Sequence, residues 1–549
     1  MIKLEALPPI PEETQRIAKK AFRKGNRYLT LRDELGSLLQ SEGYARLYSS
    51  QGQPGLSPLE LNLLLVVEQM EGLSDRDVVE AVVSRIDLKY LLGKPLDYSG
   101  FDASVLSEFR QRLIEGKAES QLFEQILTIC CRKGWLKAGG KQRTDSTHVL
   151  AAIRNINRYE LVGETMRKVL NAMATVAPEW LQERTPSAWF ARYSTRIEEY
   201  RLPEGGPAHQ RWAEQVGEDG LLLLQWLEEE TTPAYLQQLP AIATLRTIWQ
   251  QQYDIVGTTL RWRKAGELPA VSEMIQSPHD AEARYSQKRE MEWTGYKVHF
   301  TETCDEQVPH LVTQVTTTPA PLPDCQATAP IQAELAEKQR LPAQHIVDAG
   351  YSDAQLFAES QTHHKIALIS PAAPDLSWQA KAQQGYAQAD FQLDWQQQLA
   401  TCPQGHTSLR WIDDPDAAGN PSWLVRFPDK TCLACPVRAC CTRSAHSGRS
   451  LRLQPYAHYQ ALQQARQFLS TSEFKQLYAN RSGIEATFSL SVRSLGLRCS
   501  RYIGQTKTHL QNLCIASALN LMRIADFLLG LQPATSRTSP FARLAPTAA

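Results

Sequence analysis

Three acidic residues, widely separated in the chain, lie on segments that read as two strands and one helix. Asp145 occurs in the strand-like run R-T-D-S-T-H-V, and Asp348 ends the apolar run of H-I-V-D-A-G-Y. Glu485 lies within residues 478–490, where apolar residues recur at helical spacing. Carboxylates are the ligands that Mg²⁺ prefers, and a pair of such ions stabilises the attacking and leaving oxygens of phosphoryl transfer. The pattern therefore predicts a fold that brings these three segments together.

Two of the three acids, Glu485 and Asp145, also have an ordinary structural explanation. Arg481 and Glu485 are four residues apart, so they can form an ion pair on a solvated helix face. Asp145 stands beside Ser and Thr, which is typical of a turn or a helix cap. The order Asp, Asp, Glu on strand, strand and helix favours one shared site over three separate structural roles.

The chain resembles bacterial insertion-sequence transposases of the DDE class, whose catalytic core is ribonuclease-H-like. The resemblance runs from about Leu56 to about Leu529. Four motifs carry it: T-D-S-T-H around Asp145, G-Y-K-V-H at 295–299, V-D-A-G-Y around Asp348, and the spacing of Tyr478, Arg481 and Glu485. The signature of that family continues with a Lys seven residues after the Glu, where this chain has Val492 followed by Arg493.

The resemblance implies metal-dependent DNA cleavage at the ends of a mobile element, followed by strand transfer into target DNA. Asp145, Asp348 and Glu485 would be the catalytic residues and the ligands of Mg²⁺ or Mn²⁺. The partner would be double-stranded DNA, both terminal inverted repeats and target, bound by a homodimer. Two alternatives stay open: a non-catalytic, domesticated DNA-binding protein, and a nuclease of the same fold that never joins strands.

Local charge, not total charge, indicates where DNA would bind. Lys and Arg together number 59, as do Asp and Glu, so the chain has no overall basic field. Glu485 is the only acid between 481 and 507, and basic residues beside an acidic site suit a polyanionic substrate. The predicted DNA contacts are Arg481, Arg493, Arg498, Arg501, Tyr502 and Lys507. The basic run 16–32 is equally well explained by phosphate contact or by a solvated helix.

Cysteine spacing predicts a second metal site. Five of the eleven Cys lie between 402 and 441, and Cys432-x2-Cys435 is the spacing of a zinc knuckle. We predict that Zn²⁺ is held by Cys402, Cys432, Cys435 and Cys440, with Cys441 as the alternative to Cys440. The competing explanation is a set of small buried apolar residues. The other six are interpreted as structural: Cys130, Cys131, Cys304, Cys325, Cys499 and Cys514.

Periodicity predicts an α/β chain with a ribonuclease-H-like mixed sheet core, a helical N-terminal domain, a helical insertion and a Cys-rich, zinc-ribbon-like insertion. Leu- and Trp-rich helices are expected over 219–262, a hairpin at 293–301 and 310–318, and a helix at about 326–338. The predicted units are a DNA-binding domain (1–135), the first core strand (136–156), the helical insertion (157–270), the catalytic core (271–370), the Cys-rich insertion (371–455), C-terminal core helices (456–530) and a disordered tail (531–549).

Cellular location is predicted from what the sequence lacks. No apolar run approaches the roughly 20 residues that cross a bilayer, and the N-terminus has no signal-peptide apolar region. An odd number of clustered Cys favours reduced thiols over a disulfide framework. We therefore expect a cytoplasmic, nucleoid-associated protein.

Overall fold

The computed structural model describes residues 6–49, 55–256, 259–416 and 419–531. The described chain is a mixed α/β structure with a helical N-terminal region and a curled mixed sheet. The tail predicted at 531–549 lies outside the described residues, apart from Leu531.

The N-terminal region consists of helices whose ends follow the sequence signals. Ser57 accepts a hydrogen bond from the Glu60 amide at a helix start, and Gly72, in the left-handed region at φ 69°, ends that helix. Ser74 forms a capping box with Asp77 on the next one. The helices are α1 Glu12–Ala21, α2 Arg27–Leu35, α3 Pro58–Glu71, α4 Asp75–Ser84, α5 Ile86–Leu92, α6 Ser104–Glu115 and α7 Gln121–Arg132.

Strand β1, Lys141–Leu150, is followed by an insertion with its own hydrophobic core. Its helices are α8 Arg158–Val176, α9 Pro178–Arg184, α10 Ser187–Tyr193, α11 Gly206–Glu228, α12 Ala234–Gln237 and α13 Pro240–Gln252. The predicted helix over 219–262 is wrong beyond Gln252, because β2 Tyr253–Val256 and β3 Thr259–Trp262 form an antiparallel pair. Tyr253 and Trp262 stand opposite each other, buried in the insertion core, and aromatic residues of this kind favour strands.

The remaining strands of the main sheet follow the insertion. They are β4 Arg284–Lys288, β5 Met291–Thr303, β6 Val312–Pro319, β7 Gln344–Val347 and β8 Ala367–Ile369, with helices α14 Cys325–Glu337 and α15 Ala354–His364 between them. The strand order is β4-β5-β1-β7-β8, and β6 also pairs with β5. The predicted β5–β6 hairpin is confirmed as an antiparallel pair.

Neighbouring strands carry the two aspartates. β1 and β7 are parallel, and Thr144 is paired with Val347. Asp145 and Asp348 each follow one of these paired residues, so they lie at the same level along the two strands. The predicted adjacency of the two aspartates is therefore confirmed.

The Cys-rich segment forms small sheets around a separate apolar cluster. Its elements are α16 Trp378–Ala382, β9 Gln392–Asp394, β10 Leu399–Thr401, β11 Arg410–Asp413, β12 Trp423–Arg426, α17 Asp429–Leu433, α18 Arg438–Cys441 and β13 Ser450–Leu453.

The C-terminal helices close the main core. They are α19 Tyr456–Leu469, α20 Ser472–Ala479, α21 Gly483–Ser494 and α22 Gln505–Leu528. One hydrophobic cluster joins α22, the N-terminal helices and the sheet, so the N-terminal region packs continuously onto the core. Among the described helices, none combines the length and apolarity that crossing a membrane requires.

A buried ion cluster fixes α21 and α22 to the sheet. Glu302 on β5 is fully buried and faces Arg143 on β1, whose Nη2 lies 2.7 Å from Glu302 Oε1. The other Glu302 oxygen accepts hydrogen bonds from Thr487 of α21 at 2.7 Å and from Arg523 of α22 at 2.8 Å. Burial alone would raise the pKa of Glu302, but the two arginines hold it below its usual value. We call Arg143, Glu302, Thr487 and Arg523 the Glu302 cluster.

We expect Glu302→Ala to lower the free energy of unfolding by about 3–5 kcal/mol, because it leaves the buried guanidinium of Arg143 and the partly buried one of Arg523 without their counter-charge. Chemical denaturation of the full chain measures this loss. Glu306→Ala, at an exposed position in the connection after β5, is the control and should change stability by less than about 0.5 kcal/mol. Equal stability of the two variants would contradict the structural role of the cluster.

Candidate functional site

Asp145 lies on β1 with its side chain 14% exposed. The amide of Ser146 donates a hydrogen bond of 2.8 Å to Asp145 Oδ1, which fixes the carboxylate against the strand. Burial raises the pKa of Asp145, while the Ser146 amide and the charges of Arg481 and Lys288 oppose this rise.

Asp348 lies at the turn that leaves β7, and its side chain is 30% exposed. The Gly350 amide donates a hydrogen bond of 2.8 Å to Asp348 Oδ1. The backbone carbonyl of Asp348 accepts a hydrogen bond of 3.0 Å from Oγ of Ser370, the residue just after β8. A Cβ at position 350 would lie 3.1 Å from Asp348 Oδ1, so glycine leaves room for this turn.

Glu485 occupies the first turn of α21 and is 67% exposed, so it is the most accessible of the three acids. Helix α21 reaches the sheet because Arg143, which belongs to the Glu302 cluster, donates a hydrogen bond to the Asn480 carbonyl before the helix. Phe488 on the same helix stacks on Phe300 of β5, with the two ring centroids 5.5 Å apart.

The guanidinium group of Arg481 contacts all three acids. Its Nη2 lies 2.7 Å from Asp145 Oδ2 and 3.8 Å from Asp348 Oδ2, and its Nη1 lies 3.2 Å from Glu485 Oε1. Burial lowers the pKa of Arg481, but the carboxylates outweigh that effect and raise it overall. The pairing of Arg481 with Glu485 is therefore part of a larger cluster and not an isolated contact on a helix face.

The chemistry of this cluster suits a divalent cation. Three carboxylates face one guanidinium, so negative charge is left uncompensated, and their hard oxygen atoms are the ligands that Mg²⁺ prefers. Within the described ranges, no three His, Cys, Asp or Glu side chains stand close enough to hold one ion together. The carboxylate oxygens are donors of the kind that Mg²⁺ binds, but the guanidinium group of Arg481 lies between them.

The predicted DNA contacts divide into exposed and internally bonded residues. Arg493 and Lys507 are exposed, on α21 and at the start of α22. Arg498 is exposed too, and its Nε donates a hydrogen bond of 3.2 Å to Thr147 Oγ1, two residues after Asp145.

Arg501 and Tyr502 contact the N-terminal helices. Arg501 donates a hydrogen bond of 2.7 Å to the Leu73 carbonyl. The half-buried ring of Tyr502 lies beneath Arg110, whose guanidinium carbon is 5.1 Å from the ring centroid. The sequence showed these residues as part of a basic stretch, whereas packing against the N-terminal region makes Tyr502 an internal contact.

The basic run 16–32 also divides in two. Arg27 forms a bidentate ion pair with Asp526 of α22, at 2.8 and 3.0 Å, and Arg32 is buried against backbone carbonyls. Lys20, Arg23 and Lys24 instead line an open groove at the end of α1. Lys20, Arg23 and Lys24 are therefore open to solvent, as are Arg16 and Lys19 of the same run.

Four of the five clustered cysteines line one small cavity, of about 20 Å³: Cys402, Cys432, Cys435 and Cys441. Cys402 sits in a tight turn, in which its amide donates a hydrogen bond to the His406 carbonyl and Gly405 adopts φ 80°. Burial raises the pKa of Cys441 to about 11, and the three neighbouring thiols add to that rise.

Cys440, the residue predicted as the fourth ligand, does not line this cavity. Its carbonyl accepts a hydrogen bond from the Tyr386 amide instead. Consecutive residues of a helix point about 100° apart, so only one of Cys440 and Cys441 can face the other thiols. Sequence spacing does not show which of the two it is.

Two domain families match the chain. The family described as a transposase DDE domain matches residues 401–525, and the transposase domain (DUF772) matches residues 17–112. The first match includes Arg481, Glu485 and the five clustered cysteines, and ends before the C-terminus of α22. Corresponding searches among curated proteins and solved structures find no match.

Both matched families are transposase families. They support an insertion-sequence transposase of the DDE class, as the motifs in the sequence predicted. Asp145 and Asp348 lie outside both matched segments, so their assignment depends on the motifs and on the contacts described above.

Proposed function

We propose that this protein cleaves DNA at the ends of a mobile element and joins the freed 3′ ends to target DNA. The observation that carries the proposal is the convergence of Asp145, Asp348 and Glu485 on Arg481, from a strand, a turn and a helix. In the first step, water attacks a phosphodiester and the bond to the 3′ oxygen breaks. In the second, that 3′ hydroxyl attacks a target phosphodiester and displaces another 3′ oxygen.

The residues of the cluster have distinct roles in this proposal. Asp145 and Asp348 are fixed by backbone amides and would hold divalent metal at the sheet, and the exposed Glu485 would complete the site. Bound Mg²⁺ or Mn²⁺ would neutralise charge that develops on the phosphoryl oxygens. Arg481 would leave the carboxylates to contact the DNA phosphate, while the Glu302 cluster keeps α21 in place.

The surface beside the cluster supports a DNA substrate. Arg493 and Arg498 are exposed on the α21 side of the site, and Lys507 is exposed at the start of α22. In our proposal these side chains contact backbone phosphates, which position DNA without reading its sequence.

The ribonuclease-H-like classification agrees with the parallel β1–β7 pair that carries the aspartates. The predicted homodimer stays a prediction.

We also propose that the Cys-rich segment binds one structural Zn²⁺ through Cys402, Cys432, Cys435 and Cys441. The shared cavity supports this set, since it is lined by thiols from a tight turn, from two short helices and from the link between those helices. Among the described residues no three Cys or His side chains stand close enough to hold one ion, so Zn²⁺ would have to draw these thiols together. Zinc would then hold together a segment whose sheets have only two or three strands.

We expect Asp145→Asn, Asp348→Asn and Glu485→Gln each to reduce DNA cleavage and joining by about 1000-fold. Each amide keeps the side-chain shape but removes a charge worth several kcal/mol to the transition state. Cleavage of an oligonucleotide carrying the element's end, with Mg²⁺ or Mn²⁺ and with chelator, measures the effect. Asp353→Asn, which changes only the cap of α15, is the control. Full cleavage by Asp348→Asn, or by the wild type in chelator, would overturn the proposal.

We expect charge reversal of Arg493 and Arg498 to weaken binding to every duplex and to reduce the salt dependence. Each phosphate contact that is lost lowers the slope of log affinity against log salt by about 0.9. Fluorescence anisotropy over a salt series tests this, with reversal of the half-exposed Arg246, on the helical insertion, as control. A loss confined to one DNA sequence would show that these arginines read bases.

Protein purified without chelator should contain about one Zn per chain by elemental analysis. Cys441→Ser should lose the metal, whereas Cys440→Ser, the matched control one residue away, should keep it. Metal-free but fully folded wild-type protein would show that these cysteines are only core residues. Loss of Zn from Cys440→Ser alone would reverse the choice of the fourth ligand.

A further inference from the structure

The G-Y-K-V-H motif at 295–299 has no role in the site described so far. Alternate residues of a strand point to opposite faces, and Asp145 is paired with Phe300, which packs against α21. Ser146 is paired with His299 on the opposite face. Lys297 and His299 therefore lie behind the acid cluster, on the side of the sheet that faces α14.

Lys297 forms an ion pair with Asp324, the residue before α14. Lys297 Nζ lies 2.8 Å from Asp324 Oδ1, and both side chains are largely buried. Lys297 also donates a hydrogen bond to the Leu322 carbonyl. Ser146 Oγ donates a longer hydrogen bond, of 3.4 Å, to the same Asp324 oxygen. Asp324 is thus connected to the residue that follows Asp145.

The same network reaches the turn that carries Asp348. The Tyr351 hydroxyl lies 2.6 Å from His299 Nδ1, and the Tyr351 carbonyl accepts a hydrogen bond of 2.7 Å from Thr328 of α14. Burial lowers the pKa of His299 to about 4, so the ring is neutral near pH 7. Its Nδ1 can therefore accept a hydrogen bond from the Tyr351 hydroxyl. A Cβ at Gly350 would lie 3.8 Å from Asp324 Oδ2 and 3.1 Å from Asp348 Oδ1, so both carboxylates approach this turn.

We propose that Lys297 and Asp324 form a positioning pair that sets the spacing between Asp145 and Asp348. Asp324 connects to β1 through Ser146 and stands beside the Asp348 turn at Gly350, so it lies next to the supports of both aspartates. Lys297 fixes the direction of the Asp324 carboxylate through their 2.8 Å contact. The proposal rests on the proposed metal-dependent function of the cluster and adds residues that hold its metal-binding aspartates in place.

Direct binding of Mn²⁺ to the full chain, without DNA, tests the pair. The electron paramagnetic resonance signal of free Mn²⁺ falls as the ion binds. Partners that orient metal ligands typically contribute 10–100-fold to metal affinity, so we expect Asp324→Asn to weaken Mn²⁺ binding by about tenfold and to raise the Mn²⁺ concentration for half-maximal cleavage equally. DNA affinity should not change. Ser146→Ala, a smaller change, should shift both measurements in the same direction.

Two further variants separate positioning from a general structural role. Lys297→Met should weaken Mn²⁺ binding in the wild type but add little to Asp324→Asn, because Lys297 acts through Asp324. Asp353→Asn, the loss of a nearby carboxylate outside this network, should leave Mn²⁺ binding unchanged even where it lowers the melting temperature.

The outcomes distinguish this inference from the proposed function. Unchanged Mn²⁺ binding in Asp324→Asn and Ser146→Ala overturns the inference, while loss of binding in Asp145→Asn leaves the proposed function standing. Additive losses in the Lys297→Met, Asp324→Asn double variant also overturn it. Complete loss of binding in Asp324→Asn, equal to that in Asp145→Asn, would make Asp324 a direct ligand and not a positioning residue. Absence of Mn²⁺ binding by the wild type would overturn both.

Discussion

The buried carboxylate of Glu302 is the contact on which the arrangement of the site depends. It joins β1, β5, α21 and α22 through two arginines and one threonine, in a part of the core where an unpaired charge would be very costly. Because Arg143 also holds the backbone before α21, this cluster determines where Glu485 stands relative to Asp145. The exposed Glu485 is therefore positioned by the fully buried Glu302.

The acid cluster itself is held by charge from two directions. In front of the sheet, Arg481 bridges the three carboxylates and compensates part of their repulsion. Behind the sheet, Lys297 neutralises Asp324, which supports both aspartate-bearing segments. A site of this kind can remain folded without metal and still retain enough negative charge to attract it.

Much of this arrangement was predictable from the sequence, since it depends on local periodicity. Ser57, Gly72 and Ser74 marked helix ends, and the alternation around β5 and β6 marked the hairpin. The family matches confirm the class of protein that the motifs indicated. The prediction failed over 253–262, where an aromatic strand pair follows a helix of similar composition and only packing in the insertion core separates the two.

The sequence by itself determined which residues are candidates for the chemistry, because carboxylates, thiols and arginines at these spacings are set by the chain alone. Only the tertiary structure decided which of them meet. It brought the acids around Arg481, turned Cys441 and not Cys440 toward the other thiols, and placed Tyr502 beneath Arg110. The physical reason is that these contacts join residues distant in the chain, so their geometry follows from strand register and helix packing and not from local pattern.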